Sequence, residues 1–119
     1  MNSKELKTEV KEFWNNQTCG TWITDKEKYS IDYFEEIEQD RYSIQPEIFS
    51  FAEFTRWHGK KVLEVGVGAG TDFLQWARAG AKVTGVDLTE QACEHIRRRL
   101  QLYGFTAEDV LVADSENLP

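Results

Sequence analysis

The stretch Val62-Leu63-Glu64-Val65-Gly66-Val67-Gly68-Ala69-Gly70-Thr71-Asp72 limits what this chain can fold into. Lys61 to Val65 carries branched apolar residues broken by a single acid, the pattern of a short buried strand. Three glycines follow at alternate positions. Phe73, Leu74, Trp76 and Ala77 then fall at helical spacing, closed by Gly80 as a C-cap. The order is strand, glycine turn, helix. Glycine accepts positive φ in a tight turn, and its missing Cβ lets a ligand touch the backbone. The free N–H groups of the helix start face that ligand.

The spacing discriminates between ligands. A dinucleotide fingerprint places glycines at the first, third and sixth positions, the last replaceable by alanine. Here the sixth position is Thr71, and the third glycine comes one residue early, at Gly70. Downstream, Lys82 to Asp87 reads as a second strand ending in an acid, and Val110 to Asp114 as a third. Asp87 lies where an acid can take both hydroxyls of a ribose. Glu64-x-Gly66-x-Gly68-x-Gly70 resembles the first motif of the class I S-adenosylmethionine-dependent methyltransferases, of the small-molecule, ubiquinone/menaquinone-biosynthesis-like type. Ala113-Asp114-Ser115-Glu116-Asn117-Leu118-Pro119 is similar to that family's third-strand ending. The resemblance covers Lys60 to Pro119. It implies S-adenosyl-L-methionine as cofactor, S-adenosyl-L-homocysteine as product and a small-molecule methyl acceptor. It further implies that Glu64, with the Gly66 backbone and the turn through Gly68 and Gly70, holds the methionine end. Asp87 would hold the ribose, Leu88 would pack the adenine, and Asp114 with Ser115 would set the adenine edge. No residue stands out as a general base, and no catalytic residue is assigned.

The formal net charge of -7 argues against a nucleic-acid backbone as partner, because such binding needs a basic surface. Arg97-Arg98-Arg99 is the one basic cluster and reads as a solvated helix face. No apolar run approaches a membrane span of roughly 18 residues, and the N-terminus is charged and polar, so cytoplasm is the expectation. Cys19 and Cys93 have no metal spacing between them and are expected to be reduced, and no metal site is predicted.

Residues 3 to 15 read as a helix with Leu6, Val10, Phe13 and Trp14 on one face and Ser3 as N-cap. Residues 26 to 40 read as a second, with Tyr29, Tyr33, Phe34 and Ile37 at helical spacing. Pro46 opens a third whose buried stripe is Ile48, Phe51 and Ala52. Residues 1–58 thus form an N-terminal helical cap whose aromatics Trp14, Trp22, Tyr29, Tyr33 and Tyr42 read first as core, with the alternative that some of them close over a ligand. Residues 59–119 form the cofactor-binding half. From Thr89, the N-cap, a helix runs to Tyr103 with Ala92, Ile96, Leu100 and Tyr103 as its stripe, ended by Gly104. His95 lies off that stripe and is expected to face solvent.

The predicted fold class is α/β: a Rossmann-like parallel sheet of three strands, ordered 3-2-1, truncated from the family's seven-stranded fold. The expectation is the N-terminal half of a methyltransferase. Its first strand would be apolar on both faces but open at one edge, so self-association through the sheet edge or face is expected, and no turnover by this chain alone. Two alternatives stand beside it: an NAD-dependent oxidoreductase fragment, and a non-enzymatic Rossmann-like module that pairs with another chain.

Overall fold

The computed structural model describes residues 2–16, 18 and 20–119. Three strands, β1 (Lys61–Val65), β2 (Lys82–Asp87) and β3 (Asp109–Val112), form one parallel sheet in the order β1-β2-β3. Val62 lies opposite Val83 and Val65 opposite Val86, which in turn lies opposite Leu111. Helix α4 (Thr71–Arg78) carries the chain from β1 to β2, and α5 (Glu90–Tyr103) carries it from β2 to β3. Successive crossovers of one hand, stepping in one direction, leave both helices on one face. The apolar stripes meet there: Phe73, Leu74 and Ala77 of α4, with Ala92, Ile96 and Leu100 of α5, close over Val83. Each large side chain buried in this layer contributes roughly 1.5–3 kcal/mol.

The other face is barer. Leu63 is 53% exposed and Val65 49%. Among the described residues no strand pairs with the outer edge of β1. None of the described helices is long and apolar enough to cross a membrane.

Upstream of the sheet lie α1 (Ser3–Asn16), α2 (Ile31–Ile44), α3 (Ile48–Ala52) and a short 3-10 helix, Phe54–Trp57. Four sequence expectations are corrected in this segment and in α5. The cap of α1 is Asn2, not Ser3. The Asn2 side chain accepts from the Glu5 N–H at 2.8 Å, and Glu5 Oε2 accepts from the Asn2 N–H at 3.1 Å. That reciprocal pair is a capping box, and it places Ser3 inside the helix. In α3, Phe51 is 91% exposed, and Phe54 is buried in its place. The cause is Glu53, whose left-handed φ of 50° stops α3 after one turn and re-aims the chain. Phe54 then meets Trp76 at 4.6 Å between ring centroids.

The third and fourth corrections fall on α5. His95 and Arg99 are each only 1% exposed, whereas the sequence pattern put both in solvent. Helix α2 covers a second face of α5 through Tyr33, Phe34 and Ile37, which the single-stripe pattern does not show. The Tyr33 hydroxyl lies 2.8 Å from His95 Nε2, and His95 Nδ1 lies 2.8 Å from the Gln91 carbonyl. A carbonyl can only accept, so Nδ1 carries the proton and Nε2 accepts from Tyr33. Burial pushes the imidazole below its ordinary 6.5, which favours this neutral form. Cys93 is buried as a free thiol, and Cys19 lies outside the described residues.

Two glycines with similar backbone angles separate conformational strain from collision. Gly70 has φ +80°, and a Cβ there would lie 2.8 Å from Ile96 Cγ1, while Gly104 has φ +76° and a Cβ would meet nothing within 4 Å. Gly104→Ala is expected to cost about 1 kcal/mol, from the left-handed angle alone. Gly70→Ala is expected to cost more, on the order of 2–4 kcal/mol, because α5 must also shift. Urea unfolding of the two variants measures the difference, and equal losses would show that α5 yields freely at the turn.

Candidate functional site

The site is built where the strands end. β1 delivers the chain into the turn, and Gly66 (φ 75°), Gly68 (φ 56°) and Gly70 (φ 80°) all take the left-handed region. The Gly66 N–H donates to the Val86 carbonyl at 2.8 Å, so the turn starts as an extension of the sheet. A Cβ at Gly66 would meet nothing within 4 Å, so there is open space beside its backbone. Gly70 instead faces α5 and lines neither of the two cavities described below.

Asp87 closes the other side. Its Oδ2 accepts from the Gly68 N–H at 3.2 Å, and its Oδ1 from the Thr89 N–H and hydroxyl at 3.0 and 3.1 Å. One carboxylate therefore fixes the end of β2, the glycine turn and the start of α5 against one another. Thr89 is the N-cap of α5, accepting from the Ala92 N–H at 3.2 Å.

Two cavities flank the turn. The first, about 290 Å³, gathers Gly66, Gly68, Asp87, Leu88, Asp114 and Ser115, with Val10 and Trp14 of α1 above them. Asp114 has both oxygens engaged: Oδ2 receives Lys7 Nζ at 2.7 Å and Oδ1 the Glu116 N–H at 2.9 Å. The Lys7 ammonium holds the Asp114 carboxyl below its usual range. α1 is anchored again at Asn15, whose Oδ1 accepts from the Gln91 N–H in the first turn of α5 at 3.2 Å.

The second cavity, about 370 Å³, contains Glu64, Gly66, Gly68, Asp72 and Arg41. Arg41 grips Asp72 in a fork, Nε to Oδ1 at 2.9 Å and Nη2 to Oδ2 at 2.6 Å, and Tyr42 donates to Oδ1 at 2.9 Å. Burial and the Asp72 charge push the Tyr42 phenol up. Glu64 accepts from Trp76 Nε1 at 3.0 Å. Its carboxyl is raised from the ordinary 4.5 to about 8, first by desolvation and then by the neighbouring charge of Asp72. At neutral pH Glu64 is therefore largely protonated. The structure thus distributes the sequence-predicted residues over two cavities that share Gly66 and Gly68, with Glu64 in one and Asp87, Leu88, Asp114 and Ser115 in the other. Arg41 and Asp72 were not singled out by sequence reasoning, since they come from separate helices and show no common spacing. Among the described residues no histidine or cysteine lines either cavity, and no group of acids, histidines and cysteines could hold a metal ion.

A parallel sheet with its crossover helices, a glycine turn after β1 and an acid after β2 define an α/β unit of Rossmann-like kind. Residues 62–119 match the family model described as a methyltransferase domain. Over these residues the chain is similar to methyltransferase domains. Ubiquinone biosynthesis O-methyltransferases of Actinobacillus pleuropneumoniae serotype 5b (strain L20) and serotype 7 (strain AP76) are 44% and 42% identical to it over 50 residues. Each match covers 42% of this chain and 21% of the relative, so it spans about a fifth of the relatives' length. No solved structure matches the chain.

The carboxyl of Glu64 makes a prediction about stability. Unfolded, it ionises near 4.5; folded, at about 8. Between those values the folded chain holds a proton that the unfolded chain has released. Its contribution is therefore complete below pH 4.5 and is lost as pH rises toward 8. Glu64→Gln keeps the shape and the acceptor for Trp76 but cannot ionise. It is expected to stabilise the chain by on the order of 1–3 kcal/mol at pH 8 and by little at pH 5. Urea unfolding at the two pH values checks this, and the same gap at both would contradict a raised Glu64.

Proposed function

We propose that this chain is the cofactor-binding part of an S-adenosylmethionine-dependent methyltransferase acting on a small molecule. The observation that carries the reading is the Asp87–Gly68 tie between the ends of β2 and the glycine turn, with a cavity on each side of it. The residues present suit the cofactor. The open space beside the Gly66 backbone admits close approach, and the Glu64 cavity presents three acidic side chains, Asp40, Glu64 and Asp72, against one guanidinium already committed to Asp72. That balance favours a cationic ligand group. We assign Glu64 and the turn from Gly66 through Gly68 to Gly70 to the methionine end, with Gly70 shaping the turn through α5. Asp87 we assign to the ribose hydroxyls, Leu88 to the adenine face, and Asp114 with Ser115 to the adenine edge.

When bound, the cofactor supplies a methyl group on a sulfonium centre, already electrophilic. The work left to these residues is to position it and exclude water. Asp87 is held rigid before any ligand arrives, so its remaining acceptor capacity points outward without reorganisation. An ammonium near Glu64 favours the carboxylate over the acid, so binding there releases a proton and strengthens from pH 6 to pH 8. Trp14 and Val10 narrow the first cavity from above. The names of the two relatives favour a hydroxyl oxygen on a small molecule as the acceptor. We also assign residues 1–58 to a helical cap and 59–119 to the cofactor-binding part.

Calorimetric titration with S-adenosylmethionine, S-adenosylhomocysteine and NAD tests the reading, and binding of NAD alone would defeat it. Asp87→Ala is expected to weaken cofactor binding by about 2–4 kcal/mol while the chain still melts cooperatively, because charge-assisted hydrogen bonds are lost. Unchanged affinity in a folded variant would take Asp87 out of the site.

The exposed Leu63 and Val65 and the open β1 edge support a second proposal, that two copies of this chain associate there. Light scattering is expected to show dimers that Leu63→Glu disperses. A monomer at every concentration would contradict it.

A further inference from the structure

We propose that Arg99 is a positioning residue for the glycine turn, setting the conformation in which the turn meets its ligand and tying it to α2. This inference rests on the cofactor reading above for the ligand, and on geometry for the rest. Arg99 Nη1 donates to the Ala69 carbonyl at 3.1 Å and to Thr71 Oγ1 at 2.8 Å. Those two residues bracket Gly70. Nη2 donates to the Phe34 carbonyl of α2 at 3.0 Å, and the guanidinium lies 4.8 Å from the Phe34 ring centroid. A single planar fork thus grips both sides of the turn's last glycine and a backbone carbonyl of α2.

Burying this cation is costly. Arg99 is 1% exposed, desolvation lowers its guanidinium to about 10, and Nε finds no partner among the described residues. A buried cation with an orphaned N–H is a poor device for stability alone, since an apolar side chain of similar volume fills such a place at less cost. Its three partners are backbone carbonyls and one hydroxyl, and two of them belong to the turn. Arginine supplies several donors in a rigid plane, whereas lysine supplies one point charge that cannot span the three acceptors. The same bond explains Thr71. The position where a dinucleotide fingerprint carries glycine or alanine here carries a hydroxyl, and that hydroxyl is used by Arg99.

The test compares Arg99→Lys with Tyr33→Phe. The second removes the hydrogen bond to His95 and so loosens the α2–α5 contact without touching the turn. S-adenosylhomocysteine affinity is measured by calorimetry at a temperature where both variants are folded, and amide hydrogen exchange is measured without ligand. Arg99→Lys is expected to weaken binding at least about tenfold and to speed exchange at Gly68 and Gly70, leaving Val83 and Val86 protected. Tyr33→Phe is expected to change affinity less than about twofold and to leave turn exchange as it was. Arg99→Lys affinity within twofold of the parent, unchanged turn exchange in Arg99→Lys, or an equal loss in Tyr33→Phe would each overturn the proposal. If the parent chain itself binds no S-adenosylhomocysteine, the cofactor reading falls, and turn exchange alone then decides the role of Arg99.

Discussion

The close approach of α5 to the glycine turn is the constraint on which the rest of this structure depends. The Ile96 side chain lies where a Cβ on Gly70 would have to go, so the helix packs directly on the turn. That proximity lets the Thr89 cap share Asp87 with Gly68, and it brings Arg99 against Ala69 and Thr71. Moving α5 outward by the width of a methyl group would strain all of these bonds together. The core layer of Phe73, Leu74, Val83 and Ile96 supplies the apolar burial that holds α5 in. Polar ties then fix its height over the sheet. Apolar area gives cohesion here, and a few oriented hydrogen bonds give register.

The strands and the α5 cap were legible because their signals are local. Branched residues flanked by glycine mark Lys61–Val65 and Lys82–Asp87, and Thr89 and Gly104 bound α5 by backbone chemistry that needs no partner. What failed depends on a second surface arriving from elsewhere in the chain. His95 and Arg99 look solvated because one stripe of α5 already accounts for the sheet contact, and nothing in the local pattern announces that α2 covers the neighbouring stripe. Two stripes, each with residues four apart, run in parallel along α5: Ala92, Ile96 and Leu100 toward the sheet, His95 and Arg99 toward α2. Phe51 is exposed and Phe54 buried because one left-handed residue, Glu53, breaks the helical phase between them. At the site, Gly66, Gly68, Asp87, Leu88, Asp114 and Ser115 could be grouped from sequence because strand ends in a parallel sheet share one edge. Arg41 and Asp72 meet only through the docking of α2 on α4, which has no linear signature.

The two cavities differ in how their acids are controlled. Asp87 sits among donors, so its charge is satisfied inside the fold before any ligand binds. Glu64 is desolvated, has a like charge in Asp72 and one neutral donor in Trp76, so its proton stays on to about pH 8. A chain with net charge -7 thereby avoids placing one more full negative charge in a half-closed pocket. Arg41 does not neutralise Glu64 directly because Asp72 has claimed it in a fork. With Glu64 protonated, the pocket keeps Asp40 beside the Arg41–Asp72 pair, and a cation near Glu64 would draw off its proton, an arrangement that links ligand charge to proton release.

α1 completes the first cavity by a different physics from α5. None of its described residues is buried, and Leu6, Val10 and Phe13 stay exposed. Its hold on the body runs through Lys7 to Asp114 and Glu116 and through Asn15 to the start of α5. Such contacts are individually weak and are screened by salt. A helix held by charge and one cap bond opens at little cost beside one held by a packed core. The roof over Asp87 and Leu88 is therefore held with no buried residue of α1, whereas in the floor Gly68 and Thr89 are bonded to Asp87. The Lys7 ammonium lies on Asp114 where α1 closes the first cavity, so this ion pair, rather than a core contact, joins the roof to the end of β3.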